Sequence, residues 1–333
     1  MASERGHYEY GCLMERARHV VSTRERVAPD VYRLSVPYPA GYVNVYAVLD
    51  GGGAWLIDAG HHSEESRAEL LRQLAEIGVA PADVREILLT HAHPDHIGSA
   101  GDLSAASGAP IRIHRAELLP DRPGWPPRFE SGWLRRHGLP DGSRVPADDR
   151  TALPRGVEPL RGDETLRFGP LELRLVATPG HSPGLVCLHE ASRGWLFSSD
   201  QLLRVPTPLV LLEDVPGDPV GAYLDSLARL EGLPAELVLP GHGRGFSGLA
   251  AQVARARRTH QARLAEALEE VPAAGATGYE VCRRLGWSAG FQPSRSAVAP
   301  AFALGRLLAY LRRLEVVGDV CFDQATGRWH RVR

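Results

Sequence analysis

The segment Thr90-His91-Ala92-His93-Pro94-Asp95-His96-Ile97-Gly98 constrains this chain more than any other, because it puts three imidazoles and a carboxylate into six positions directly after an apolar run. Ile87, Leu88 and Leu89 read as a short buried strand that polar residues and Pro94 bring to an end. The imidazoles therefore emerge at the C-terminal edge of a strand, where α/β sheets place their ligand sites. A turn there lets His91 and His93 point one way while Asp95 and His96, at the start of the following helix, point another. Neutral imidazoles with a carboxylate form a nitrogen and oxygen donor set that suits Zn²⁺ or a similar ion. One short segment can supply two metal ions, and the remaining ligands must come from elsewhere.

Upstream, Val31 to Val36, Val43 to Leu49 and Ala54 to Ile57 read as strands, the last two joined by the turn Asp50-Gly51-Gly52-Gly53. They lead into Asp58-Ala59-Gly60, a carboxylate at a strand end beside a glycine that permits a tight turn. Ser63 is a candidate helix cap, with Glu64 and Glu65 in the first turn and Leu70, Leu71, Leu74 and Ile77 as an apolar stripe. After the histidine motif come a helix near Gly98 to Ala106 and a strand at Ile111 to His114. Residues 120–160 differ, since 13 of these 41 are Pro or Gly and Trp125, Phe129 and Trp133 lie among them, which points to a lid or pocket wall.

The alternation Leu171, Leu173, Leu175, Ala177 marks a half-buried strand that runs into Thr178-Pro179-Gly180-His181-Ser182-Pro183-Gly184. Leu185 to His189 and Trp195 to Ser198 form a hairpin that ends at Asp200. A helix over Pro219 to Glu231 and a strand at Glu236 to Leu239 then lead to Pro240-Gly241-His242-Gly243. His181, Asp200 and His242 each follow a strand, and together they are candidates for the missing ligands.

Composition narrows the setting. The N-terminal residues are charged throughout and no stretch approaches the roughly 18 apolar residues of a membrane helix, so the chain reads as soluble and cytoplasmic, with no membrane partner. Cys12, Cys187, Cys282 and Cys321 are widely spaced, which indicates neither a disulfide scaffold nor a thiolate zinc site. Residues 249–333 hold 13 Arg against seven acidic side chains, a net +6, which leaves −8 for the rest of a chain with formal charge −2. A basic segment on an acidic one can meet nucleic acid, an acidic carrier or a second subunit.

The motifs T-H-A-H-P-D-H-I-G, I-D-A-G, T-P-G-H-S-P-G, F-S-S-D and P-G-H-G, spanning about residues 31–246, resemble the metallo-β-lactamase superfamily in its glyoxalase II-like branch. The resemblance implies an α/β (α+β) fold, an αββα sandwich over residues 1–248 with two divalent metals in the cleft between its sheets. Carried onto this sequence, it implies that His91, His93 and His181 hold one metal, that Asp95, His96 and His242 hold the other, and that Asp200 bridges them. Asp58 would orient a ligand imidazole from behind. Ser199 departs from the pattern, since many relatives carry Gly before the bridging Asp. Residues 249–333 resemble the C-terminal winged helix of a subset of these proteins, with helices over Ala250 to Glu270, Tyr279 to Leu285 and Pro300 to Leu314, and a wing pairing Val316 to Phe322 with Trp329 to Val332. Attached to this enzyme domain, such a segment packs against it or forms a homodimer more often than it reads duplex DNA.

Two cations about 3.5–4 Å apart would hold a bridging water whose pKa falls toward about 7, so the expected reaction is hydrolysis by hydroxide, with Asp95 shuttling the proton and Asp200 holding both metals. Zinc is the expected metal, with iron and manganese as alternatives for the same donors. A thioester of CoA, a carrier protein or a related acyl group, or a similar ester, is the expected substrate, small or carrier-bound. Phosphodiester cleavage of RNA held by the basic segment is the alternative, followed by lactone or β-lactam hydrolysis and iron-dependent redox chemistry.

Overall fold

The apolar runs of the N-terminal half form a seven-stranded sheet whose spatial order follows the sequence: β1 (Arg24–Ala28), β2 (Val31–Tyr38), β3 (Gly41–Asp50), β4 (Gly53–Ile57), β5 (Val84–Leu89), β6 (Ile111–His114) and β7 (Glu158–Leu160). This computed structural model describes residues 22–118, 131–143, 153, 156–205, 208–212, 217–287 and 299–332. Strands β1 to β4 are antiparallel, and β4 to β7 are parallel. The change of sense follows from the connections: a tight Gly-rich turn joins β3 to β4, whereas helix α1 (Glu64–Glu76) carries the chain from β4 back to β5. Ser63 caps α1 by accepting from the Ser66 N–H, with Glu64 and Glu65 in the first turn as expected.

A second sheet of five strands has the order β12 (Leu237–Pro240), β11 (Trp195–Ser199), β10 (Val186–Glu190), β9 (Leu171–Ala177), β8 (Thr165–Phe168). It is antiparallel except for the β11–β12 pair, whose connection contains helix α5 (Pro219–Leu230). Alternation along the strands sorts the core into three layers. Tyr46, Val48, Ile57 and Leu88 of the first sheet meet Phe168, Leu173, Leu188 and Phe197 of the second between the sheets. The other face of the first sheet buries Leu70 and Leu74 of α1 and Leu103 of α3 (Ala100–Ser107), the short α2 (Pro94–Ile97) preceding it. The result is a helix–sheet–sheet–helix sandwich, as expected.

The fourth layer contains more than α5. Helices α6 (Leu249–Glu269), α7 (Gly278–Arg284) and α8 (Ala299–Val316) share one hydrophobic cluster with Cys187, Leu196 and Val238 of the second sheet. That cluster runs without a break across residue 248. Helix α8 extends to Val316, and the hairpin β13 (Val320–Asp323) with β14 (Arg328–Arg331) starts later than the sequence indicated. The reason is local: the N–H groups of Val317, Gly318 and Asp319 still bond back to the carbonyls of Arg313, Glu315 and Leu314.

Of the aromatic residues expected to wall a pocket, Trp125 and Phe129 lie outside the described residues. Trp133, on α4 (Ser131–Arg136), packs edge-on against His137, whose ring stacks on Trp329 of the C-terminal hairpin. Among the described residues no helix is long and apolar enough to cross a membrane.

A continuous outer cluster implies one cooperative unit. Leu307, fully buried on α8, should on substitution to Ala lower the stability by about 2–5 kcal/mol and shift the thermal unfolding of the second sheet with it. Calorimetry should show a single transition moving down as a whole. Two resolved transitions, of which Leu307→Ala moved only one, would contradict this.

Candidate metal centre

Strand sense explains why distant motifs meet. Strands β4 and β5 run parallel with Ile57 opposite Leu88, and β11 and β12 run parallel with Phe197 opposite Leu239, so the residues beyond each strand emerge at one edge of the sandwich. Two backbone hydrogen bonds join the sheets at this edge, Val186 N–H to the Thr90 carbonyl at 3.1 Å and Asn44 N–H to the Gly241 carbonyl at 2.8 Å. Helix α2 is seated on the Asp58–Gly60 turn by Ala59 N–H to His96 O, 2.7 Å, and Gly98 N–H to Gly60 O, 2.8 Å. The motif's Gly98 is required there: a Cβ would stand 2.1 Å from the backbone of His61 and His62.

All seven predicted donors converge. His91 with His93 and His181 forms one group, Asp95 with His96 and His242 a second, and His91 with His96 and Asp200 a third, the donor atoms within each lying within 4.8 Å of one another. In the first group Nδ1 of His93 lies 3.0 Å from His91 Nε2 and 2.9 Å from His181 Nε2. Asp200 stands between the groups, with Oδ1 3.6 Å from His96 Nε2 and Oδ2 3.5 Å from His181 Nε2 and 3.3 Å from His242 Nε2. Asp95 Oδ2 lies 3.4 Å from His242 Nε2.

These residues fit a pair of cations. His96 Nε2 and Asp200 Oδ1 are buried without a hydrogen-bond partner, which is costly unless something else satisfies them. The nitrogens opposite the cluster are already engaged, with His181 Nδ1 donating to Leu209 O at 2.7 Å and His242 Nδ1 to Tyr42 O at 2.8 Å. That fixes the tautomer leaving the Nε2 lone pairs directed inward. Burial and the neighbouring imidazoles of His96, His93 and His181 push the His91 pKa well below the ordinary histidine range, so this ring is neutral and able to ligate. At His96 burial acts the same way, but the carboxylates of Asp58, Asp95 and Asp200 outweigh it and push the pKa up to about 10. Carboxylates that hold a proton so firmly would also hold a cation in its place.

Behind the donors, Asp58 serves both groups. Its carboxylate accepts from Thr90 N–H at 2.8 Å, from the Thr90 hydroxyl at 2.9 and 3.0 Å, and from His96 Nδ1 at 2.8 Å. Thr90 Oγ1 is in turn 3.1 Å from His91 Nδ1 and 2.7 Å from Ser199 Oγ. Thr90 and Ser199 were not singled out as ligand supports from the sequence. Nor were Arg33, Asn44 and Tyr46, which hold the His242 loop: Asn44 Nδ2 donates to the carbonyls of Pro240 and Gly243, both at 2.8 Å, Tyr46 Oη to Pro240 O, and Arg33 to Gly243 O. The one signal for Asn44 was an amide inside the apolar run Val43 to Leu49.

Asp58 and Ser199 are the non-glycine residues with positive φ among those described, at 63° and 46°. For a serine this left-handed conformation costs about 1–2 kcal/mol that a glycine would not incur. Here the strain comes with a hydroxyl against Thr90 and 3.5 Å from His91 Nδ1. Replacing Ser199 by Gly or by Ala removes the same hydroxyl, but only Gly relaxes the backbone. Denaturant unfolding of the metal-free variants should find Ser199→Gly more stable than Ser199→Ala by about 1 kcal/mol, with zinc affinity about tenfold weaker than parent in both. Parent-like zinc affinity in both variants would refute a role for the hydroxyl.

The profile of the metallo-beta-lactamase superfamily matches residues 38–242. The probable metallo-hydrolase YqjP of Bacillus subtilis is 28% identical over 277 residues, covering 76% of this chain and 83% of its own. A metallo-beta-lactamase family protein from Thermus thermophilus, 29% identical, superposes with a TM-score of 0.79 over 92% of this chain and 100% of its own. A thioesterase of Emericella nidulans is 25% identical over 212 residues, 64% of this chain and 49% of its own. The matched profile spans all the donors from His91 to His242, and the chain belongs to the metallo-β-lactamase superfamily.

Proposed function

We propose that this protein is a dinuclear metal-dependent hydrolase of acyl thioesters or related esters, in the glyoxalase II-like manner. The observation that carries the reading is the pair of donor groups meeting at Asp200, whose Oδ1 and the facing His96 Nε2 are buried without hydrogen-bond partners. His91, His93 and His181 would hold one divalent cation, Asp95, His96 and His242 the other, with Asp200 shared. Zinc suits these nitrogen and oxygen donors. When bound, such a pair supplies Lewis acidity and a water acidic enough to give hydroxide near neutral pH.

The protein's own part is placement and proton handling. Asp58 and Thr90 keep His91 and His96 oriented, and the Tyr42 and Leu209 carbonyls do so for His242 and His181. Asp95, part-exposed at its side chain and beside His242 Nε2, would take a proton from the reacting water and pass it to the leaving group. The ring of Tyr38 lies 5.3 Å from that of His242 and forms part of the wall beside it.

Thioester chemistry is supported by the likeness to the Emericella nidulans thioesterase and by the distribution of charge. In the basic C-terminal segment, read here as winged-helix-like, Arg257, Arg312, Arg313 and Arg328 are engaged with Glu231, Glu315, Asp218 and Glu280. Four of the segment's 13 Arg side chains are thereby shared with carboxylates and offer less net positive charge to a phosphate backbone.

A parallel assay of thiol release from a panel of acyl thioesters and of single-stranded RNA cleavage tests the proposal. Thiol release is expected, and Asp200→Ala, still folded, should lower it by at least about 100-fold and lose metal with it. RNA cleavage without thiol release, or an Asp200→Ala variant with parental turnover, would contradict the reading.

A further inference from the structure

Glu117 lies in no motif, yet it reaches both loops of the three-histidine group. It sits in the 3-10 turn Arg115–Leu118 after β6 and is buried. Its Oε2 accepts from the N–H of Ala92, the residue between His91 and His93, at 3.1 Å. Its Oε1 accepts from Ser182 Oγ at 2.7 Å and from Gly184 N–H at 2.6 Å, and Ser182 directly follows His181. The first loop leaves β5 of one sheet and the second leaves β9 of the other, so a single carboxylate spans the cleft from behind. The last residue of T-P-G-H-S-P-G packs closely against this turn: a Cβ on Gly184 would stand 2.6 Å from His114 Nδ1 and 3.0 Å from Glu117 N.

The charge matters as much as the span. Three donors suit the ionised form of Glu117, the Ala92 and Gly184 N–H groups and the Ser182 hydroxyl all facing its oxygens, and with His93 they act against the burial that raises its pKa. A buried acid held only by these neutral donors is an expensive way to join two loops, because amide or apolar contacts would do so without desolvating a carboxylate. The three-histidine group, for its part, contains no carboxylate apart from the Asp200 it shares. A cation held by neutral imidazoles gains from an anion placed just behind them.

We propose that Glu117 is a positioning residue for the three-histidine half of the centre, holding its two loops in register through Ala92, Ser182 and Gly184 and lending negative potential to a cation bound there. The proposal rests on the dinuclear reading given above. It predicts an effect confined to one of two metal-binding steps, which a general structural role would not produce.

Cobalt(II) titration of the metal-stripped full-length protein, followed by visible absorption, separates the possibilities. The parent should bind two ions in distinguishable steps, and His181→Ala identifies the step belonging to the three-histidine group by losing it. Glu117→Gln puts an amide N–H₂ or a weaker carbonyl against the same donors, and should weaken that step about tenfold while leaving the other unchanged. Ser182→Ala, which removes one hydrogen bond and disturbs the core least, should weaken the same step about threefold and decides the matter if Glu117→Gln does not fold. Parental affinity in both steps, or equal weakening of both, overturns the proposal. A parent that binds fewer than two cobalt ions contradicts the dinuclear reading instead.

Discussion

One buried carboxylate, Asp58, fixes the relation between the two halves of the centre. It sits at the end of β4 with a left-handed backbone, accepts from the backbone and hydroxyl of Thr90 at the end of β5, and accepts from His96 on α2. Through Thr90 it orients His91 of one donor group, and directly it orients His96 of the other. Burying a carboxylate is expensive unless its oxygens are well satisfied, and these are. Positional error at Asp58 would therefore pass to both groups at once, which explains why strain is accepted at this residue.

The scaffold serves the same end. Two parallel strand pairs, one in each sheet, bring their C-terminal ends to a common edge, and backbone hydrogen bonds close that edge between the sheets. Arg33, Asn44 and Tyr46 then reach from the first sheet to the carbonyls around His242 on the second. The outer layer, where α6 and α8 cover the second sheet, lies in the same hydrophobic cluster as Leu202, two residues after Asp200, and Tyr223. The C-terminal segment thus shares its apolar core with the sheet that carries Asp200 and His242.

How much of this was legible in the sequence depended on range. His91, His93, Asp95 and His96 stand out in one dense motif, whereas His181, Asp200 and His242, each after a strand, became candidates only together and downstream of it, and the resemblance supplied their assignment. Their supports could not be found in this way. Thr90 meets Ser199 across 109 positions and Asn44 meets Gly243 across 199, and no local pattern encodes such partners. Glu117 looked like one more charged residue after a strand. The amphipathic helices α6 and α8 announced that one face is buried, but an apolar stripe does not say which sheet will cover it. Ser199 was visible as a departure from the family pattern, and only its positive φ and its bond to Thr90 give that departure a physical meaning.

The central claim is that two cation sites share Asp200 at the joined edge of the sheets. Anomalous diffraction at the zinc edge, from crystals grown with zinc, tests it most directly. Two peaks are predicted, one against His91, His93 and His181 and one against Asp95, His96 and His242, each also within bonding distance of an Asp200 oxygen. A single peak, or a pair in which Asp200 touches only one ion, would contradict it.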